Sequence, residues 1–261
     1  MNTRILTAAL LLAGFAASAR ATGTWPGVEG DLIFGARQGT ATNDLVVDVG
    51  NADTFGIGAP LAPGTTFTWN LSTDLTTAFS TAWQTPGNVS WSVVGGDASS
   101  ATSAPNDTVW AAGPNKASLT KSTQGNQDTL IGTIDNYNTA WVANTSTTAI
   151  ANGLFISRTD ASSYSTTILA NGAPNSFNYS FWGVSNIESD AASGLGAELY
   201  ELQPGSGKGI DLGTFSLNSS TGVLTFTTSL AAIPEPSTYA AILGAAALGF
   251  VLIRRRQQAV A

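Results

Sequence analysis

The chain contains no cysteine and no histidine. Without cysteine there is no disulfide framework and no thiol nucleophile, so the fold must hold through packing and backbone pairing even in an oxidising compartment. Without histidine, Ser-His-Asp and Cys-His nucleophilic machinery and the common zinc sites fall away, together with the one side chain that titrates unperturbed near neutrality. Charge is also scarce, at 10% of residues, and unevenly placed. Five of the ten basic residues (Arg4, Arg20, Arg254, Arg255, Arg256) sit near the ends, whereas all seventeen acidic residues lie between Glu29 and Glu235. The formal net charge of −7 therefore hides a body with five basic residues against seventeen acidic ones. Such a surface repels phosphate backbones and anionic headgroups, which argues against nucleic-acid binding and against peripheral attachment to membranes.

What the chain does have is enough apolar material for a core: 43% of its 261 residues are hydrophobic. Once both ends are set aside, the rest fits one domain of ordinary size. Abundant Gly, Ser, Thr and Asn favour strands, tight turns and neutral polar surfaces over long solvated helices. Period-two alternation supports this. Leu45, Val47 and Val49 share one face against Asp44 and Asp48; Phe67, Trp69 and Leu71 oppose Thr66, Thr68 and Asn70; Val89, Trp91 and Val93 oppose Ser90 and Ser92. Segments 198–202, 210–217 and 223–227 give three further strands. Pro204-Gly205-Ser206-Gly207 and the run from Asn218 to Gly222 separate them, which predicts a meander. Helices are expected after Ser72, with Leu75, Ala78, Phe79 and Ala82 at helical spacing before Pro86-Gly87, and from about Asp128, with Leu130, Ile134, Tyr137 and Trp141 on one stripe. Stretches 95–107 and 113–127 read as loops. The expected fold is mainly β: an antiparallel β-sandwich-like ectodomain with one or two short helices.

Both ends read as addresses. Met1 to Ala21 has a basic n-region at Arg4, an apolar run from Ile5 to Ala17 too short to span a bilayer, and the small-x-small pattern Ala19-Arg20-Ala21. Cleavage after Ala21 would make Thr22 the mature start, and cleavage after Ala19 is the near alternative. A retained N-terminal anchor is the bland one. The C-terminus runs through Pro234-Glu235-Pro236, an apolar stretch of 15 residues from Tyr239 to Ile253, and Arg254-Arg255-Arg256. The two prolines lock φ and remove amide donors, which keeps the motif extended and open to an enzyme's cleft. As a helix the apolar stretch is about 22 Å long against a hydrocarbon core of roughly 30 Å, so it spans only with help from its flanks. The three arginines stay on the cytoplasmic side under the positive-inside rule, which places everything upstream across the membrane. The expected organisation is a signal peptide at 1–21, a β-rich ectodomain at 22–230, a linker at 231–238, a transmembrane helix at 239–253 and a basic tail at 254–261.

This tail resembles the PEP-CTERM sorting signal of Gram-negative bacteria. The resemblance implies recognition by an exosortase in the inner membrane, after passage through the secretion translocon and cleavage by signal peptidase, with the helix holding the precursor there transiently. It further implies transfer or release at the motif, in a cell that makes an extracellular polysaccharide. A plain C-terminal anchor behind a proline-containing linker is the alternative. Segments 30–35, 43–50 and 211–215 resemble ectodomains of such proteins from biofilm-forming bacteria, a likeness that adds architecture and no chemistry.

The body carries no catalytic, metal or nucleotide motif, and no cofactor is expected. Pro204 to Gly209 contains a Gly-Lys, but Gly209 stands where a phosphate loop needs Ser or Thr, so a hairpin loop is the reading. Glu188, Glu198 and Glu201 are the nearest candidates for a glycosidase pair; the odd spacing of Glu198 and Glu201 on a strand turns them to opposite faces. Of seven tryptophans, Trp25, Trp110 and Trp182 have no place on an apolar face and could form an exposed platform for sugar rings. Asn-Asp clusters around residues 43–44, 51–53, 106–107 and 135–136 could ligate calcium, though turn chemistry explains them more cheaply. Asn70, Asn88, Asn106, Asn144, Asn178 and Asn218 head Asn-x-Ser/Thr sequons of the kind a Ser/Thr-rich chain makes by chance. The leading expectation is a non-enzymatic surface or matrix protein associated with exopolysaccharide. A secreted carbohydrate-active enzyme using a carboxylate pair and a simple anchored ectodomain are the alternatives.

Overall fold

The computed structural model describes residues 17–18, 28–57, 59–99, 101–114, 119–143, 147–149, 153–160, 163–167 and 178–229, and for 17–18, 135–143 and 147–149 the backbone alone. The chain divides into two compact units, Met1–Ser229 and Leu230–Ala261, and all described residues belong to the first. Ala19, Ala21, Trp25, the Pro234-Glu235-Pro236 motif, the apolar stretch and Arg254 to Arg256 therefore lie outside the described residues, as do Asn144 and the side chains of Tyr137 and Trp141.

The elements in chain order are β1 Ala17–Ser18, β2 Asp31–Gln38, β3 Asn43–Asn51, β4 Thr66–Asn70, α1 Ser72–Phe79, β5 Val89–Asp97, β6 Thr108–Pro114, α2 Gln124–Ala143, β7 Thr147–Ala149, β8 Leu154–Ser157, α3 Tyr164–Thr167, β9 Ser189–Asp190, β10 Ala197–Leu202, β11 Ile210–Leu217 and β12 Val223–Thr228. Among the described residues, all the strands join one twelve-stranded sheet in the order β1-β4-β12-β11-β10-β6-β5-β2-β3-β8-β7, with β9 against β5. Every pairing is antiparallel except that of β1 with β4. The predicted meander is β10-β11-β12. Its second turn is closed by the Asn218 side chain, whose Oδ1 accepts from the amides of Ser220 and Thr221 at 2.9 and 3.0 Å. Gly222 ends that turn at φ +67°, where a Cβ would stand 2.5 Å from the Ser72 Cα, so two constraints require glycine.

Strand alternation produces two cores, one on each face of the sheet. The inner one takes Phe34 and Leu32 from β2, Leu45, Val47 and Val49 from β3, Trp69 from β4, Val89, Trp91 and Val93 from β5, and Phe215 and Phe226 from β11 and β12. Phe55, in a 3-10 turn that follows β3, packs against Phe67, Trp69, Phe215 and Phe226 with ring centroids 5.0–6.0 Å apart. Those partners belong to the opposite end of the strand order, so the sheet curls until its two ends share one aromatic core. The sandwich expectation is corrected in this respect: the layers that face each other are parts of one hydrogen-bonded sheet. A curl fits the sequence physically, because strand twist accumulates over many strands and register breaks occur at Leu32/Ile33 and Leu199/Tyr200.

Leu75 and Phe79 of α1 close the inner core. The outer core is covered by α2, through Leu130, Ile131 and Ile134, and by Tyr164, Tyr179, Trp182 and Ile187. Gly96 on β5 lets α2 approach, since a Cβ there would come within 3.1 Å of Ile131 and Ile134. The second helix starts at Gln124, earlier than expected, and takes over the end of the stretch read as a loop. Residues 95–97 likewise extend β5. Among the described residues no helix is long and apolar enough to cross a membrane.

Candidate functional site

The outer face of β2, β3 and β5 carries polar side chains where α3 and the 178–190 segment cover it. Gly35 makes this cover close, because a Cβ there would lie 2.2 Å from the Tyr164 ring. Two residues along β2, Arg37 donates from Nε and Nη2 to the two carboxylate oxygens of Glu188 at 3.0 and 2.7 Å. The Tyr164 hydroxyl donates to the same carboxylate at 3.2 Å and lies 2.7 Å from the Ser92 hydroxyl. Burial works against the Arg37 charge, but the Glu188 hydrogen bonds and charge more than offset it and its pKa rises. Burial also pushes the Tyr179 phenol up, with the Glu188 charge adding to it.

A second cluster leads outward from this one. Asp44 is fully buried and accepts from the Ser165 amide and hydroxyl at 2.6 and 2.8 Å. Burial raises its pKa, with Ser165 and Arg158 acting in the opposite direction. Arg158 Nε lies 3.7 Å from the Asp44 carboxylate, and its Nη1 donates to the carbonyls of Gln38 and Gly39 at 2.6 and 2.8 Å. One guanidinium thereby fixes the β2–β3 turn from below.

That turn forms one wall of a groove of about 700 Å³. The groove is shallow and open, and residues 38, 40–42, 76–82, 85 and 88 line it. Among the described residues the lining is made mainly of hydroxyl, amide and small apolar side chains, with no charged side chain. Phe79 belongs to the lining but is 3% exposed, so little aromatic surface faces the groove. The far wall contains a backbone anomaly. Ser80 lies at φ 53°, ψ −128° and Thr81 at φ −93°, ψ 3°, the two central positions of a type II′ turn. The first of these favours glycine, and an L side chain there costs about 1–3 kcal/mol. Ser80 is exposed and belongs to the groove's lining.

The structure moves several sequence-level candidates. Trp110 and Trp182 are fully buried, Trp110 in the inner core and Trp182 in the outer. The exposed-platform expectation is corrected for both: Trp110 alternates with Val109 and Ala111 on β6, and Trp182 sits in a 3-10 turn under the 178–190 segment, so each is core. Glu198 and Glu201 do lie on opposite faces of β10, the first accepting from the Tyr200 hydroxyl and the second from the Gln203 amide, each at 2.6 Å. Glu188 is engaged by Arg37. The Lys208 loop is the β10–β11 connection, as read, with Thr120 bridged to Lys208. Among the Asn-Asp clusters, Asn51 caps the 3-10 turn through the Asp53 amide at 3.1 Å and Asp107 accepts from Gln124 at 2.6 Å. Among the described residues no group of three or more acidic side chains is placed to hold a metal ion.

The strained turn at Ser80 escaped sequence reading for a physical reason: a type II′ turn normally announces itself by glycine, and this one has none. The acidic pair at the β2–β3 bulge escaped it too. Burial, with the Asp31 charge nearby, pushes Asp48 up to about 6, and Asp31 itself is raised by burial.

Comparison with known proteins bears on the other end of the chain. Residues 232–256 match the model of the PEP-CTERM protein-sorting motif, which implies export, a membrane-anchored sorting signal and processing by an exosortase. No curated protein and no solved structure matches the chain. By its terminal segment, residues 232–256, the chain carries a PEP-CTERM protein-sorting motif.

Proposed function

We propose that this chain is a non-enzymatic protein of the cell surface or extracellular matrix, exported through the secretion translocon, trimmed by signal peptidase after Ala21, processed by an exosortase at Pro234-Glu235-Pro236, and associated outside the cell with exopolysaccharide. The observation that carries the reading is the sorting motif at 232–256. Composition supports it: five basic residues against seventeen acidic ones suit a soluble surface in a crowded exterior, and a chain without cysteine has no thiol to lose to oxidation. The absence of histidine, and the engagement of Glu188, Glu198 and Glu201 by Arg37, Tyr200 and Gln203, favour binding over hydrolysis as the ectodomain's work. Exopolysaccharide is the partner that the sorting system implies.

Intact mass of the protein recovered from outside the producing cells tests the processing steps. The expected mass lacks residues 1–21 and everything after the Pro234–Pro236 motif. Material shed from the cell that retains Arg254 to Arg256 would contradict the reading, as would unchanged processing after replacement of Pro234, Glu235 and Pro236 by alanine.

A further inference from the structure

We propose that the groove between the β2–β3 turn and the end of α1 binds uncharged stretches of extracellular polysaccharide, with the Ser80 hydroxyl as a specificity-determining contact. The inference rests on the polysaccharide association proposed above and gives it a site and a ligand class. Hydroxyl and amide side chains are both donors and acceptors, which is what a sugar ring with several hydroxyls requires of a wall. A phosphate, sulfate or uronate would meet no cation in this lining. The guanidinium beneath it, Arg158, already donates to the carbonyls of Gln38 and Gly39. Among the described residues the same lining has no carboxylate, which favours holding a chain over cutting it.

Both walls are set in advance. The Arg158 to Asp44 to Ser165 chain of contacts holds the turn that carries Gln38 and Thr42. On the other side the type II′ turn holds Ser80 in a conformation that glycine would adopt without strain. A serine at such a position adds one thing that glycine lacks, a hydroxyl, and Ser80 is an exposed residue of the groove's lining. With Trp83 and Phe79 buried beneath, ring stacking contributes little, so each contact is weak and a repeating polymer supplies the avidity.

The test uses processed protein recovered from the producing cells, together with those cells' exopolysaccharide split by anion exchange into neutral and uronate-bearing fractions. Wild type is expected to bind the neutral fraction. Thr77→Trp, which fills the groove from an exposed helix position, should weaken that binding at least tenfold. Ser80→Gly should weaken it several-fold while melting no lower than wild type. Preference of wild type for the uronate fraction would overturn the proposal, as would wild-type affinity in both folded variants, and in the latter case the matrix association itself survives. If wild type binds neither fraction, the association reading falls with it. Should Thr77→Trp fail to fold, Thr81→Trp plugs the same groove from the turn.

Discussion

On its inner face the sheet packs Phe34 against Trp91, and Phe55 against Phe67, Trp69, Phe215 and Phe226, ring upon ring. On its outer face the same strands present Arg37, Asp44 and Ser92, and the cover laid over them includes Glu188, Tyr164, Ser165 and Arg158. The inner face gains from apolar area removed from water and depends on shape. The outer face depends on pairing: each buried charge there is tolerable only while its partner remains. The difference explains why the groove sits where it does, since its near wall is held by the outer-face charges and its far wall rises from α1, which closes the inner core.

The largest effect should come from the inner face. Phe226→Ala removes the ring that meets Phe55 edge-on at 5.0 Å and Phe215 at 4.8 Å, and should cost about 3–5 kcal/mol in denaturant unfolding, with the m-value unchanged. A loss under about 1 kcal/mol would show that the sheet's two ends do not share a core. Next is Glu188→Ala, which strands Arg37. About 2–3 kcal/mol is expected, less than for a fully buried pair because the Arg37 side chain is 28% exposed. The double variant Arg37→Met, Glu188→Leu should recover most of that loss, and failure to recover would mean that the ion pair contributes more than pairing alone.

The smallest effect concerns Asp48. Its folded carboxyl binds a proton more tightly than an unfolded one, at about 6 against 3.8, so the folded state is favoured as pH falls through 6 and the gain is complete below about 4. Asp31 and Asp44, both raised by burial, act in the same direction. Asp48→Asn should therefore stabilise the protein at pH 7 by about 1–2 kcal/mol, below the roughly 3 that two pKa units represent, because solvent screens a partly exposed group. It should also flatten stability between pH 6 and 4. Wild-type stability that rises with pH across this window would contradict the assignment.

Strand faces were legible wherever alternation was clean. Leu45, Val47 and Val49, Trp69 with Leu71, and Val89, Trp91 and Val93 all reach the inner core as their spacing requires. The three-strand meander was legible from its turn residues. Trp110 and Trp182 were not, because Trp110 stands in the run Val109-Trp110-Ala111-Ala112, apolar on both faces, and Trp182 in a turn; neither pattern has a polar side to mark the exposed direction. The start of α2 was missed because Gly125 and Asn126 are weak helix formers. The candidate groove was invisible, since it joins residues 38–42 to residues 76–82 through the curl of the sheet.

By itself the sequence determined the terminal sorting signal, the mainly β class and the chemistry the chain must do without. Each of these is written in neighbouring residues or in composition, and local sterics and hydrophobicity suffice to read them. Only the tertiary structure decided that the sheet is one curled whole, that two tryptophans are core, and that a neutral groove lies beside a strained serine. Those depend on residues far apart in the chain meeting, and no local pattern encodes which distant partner a side chain will find.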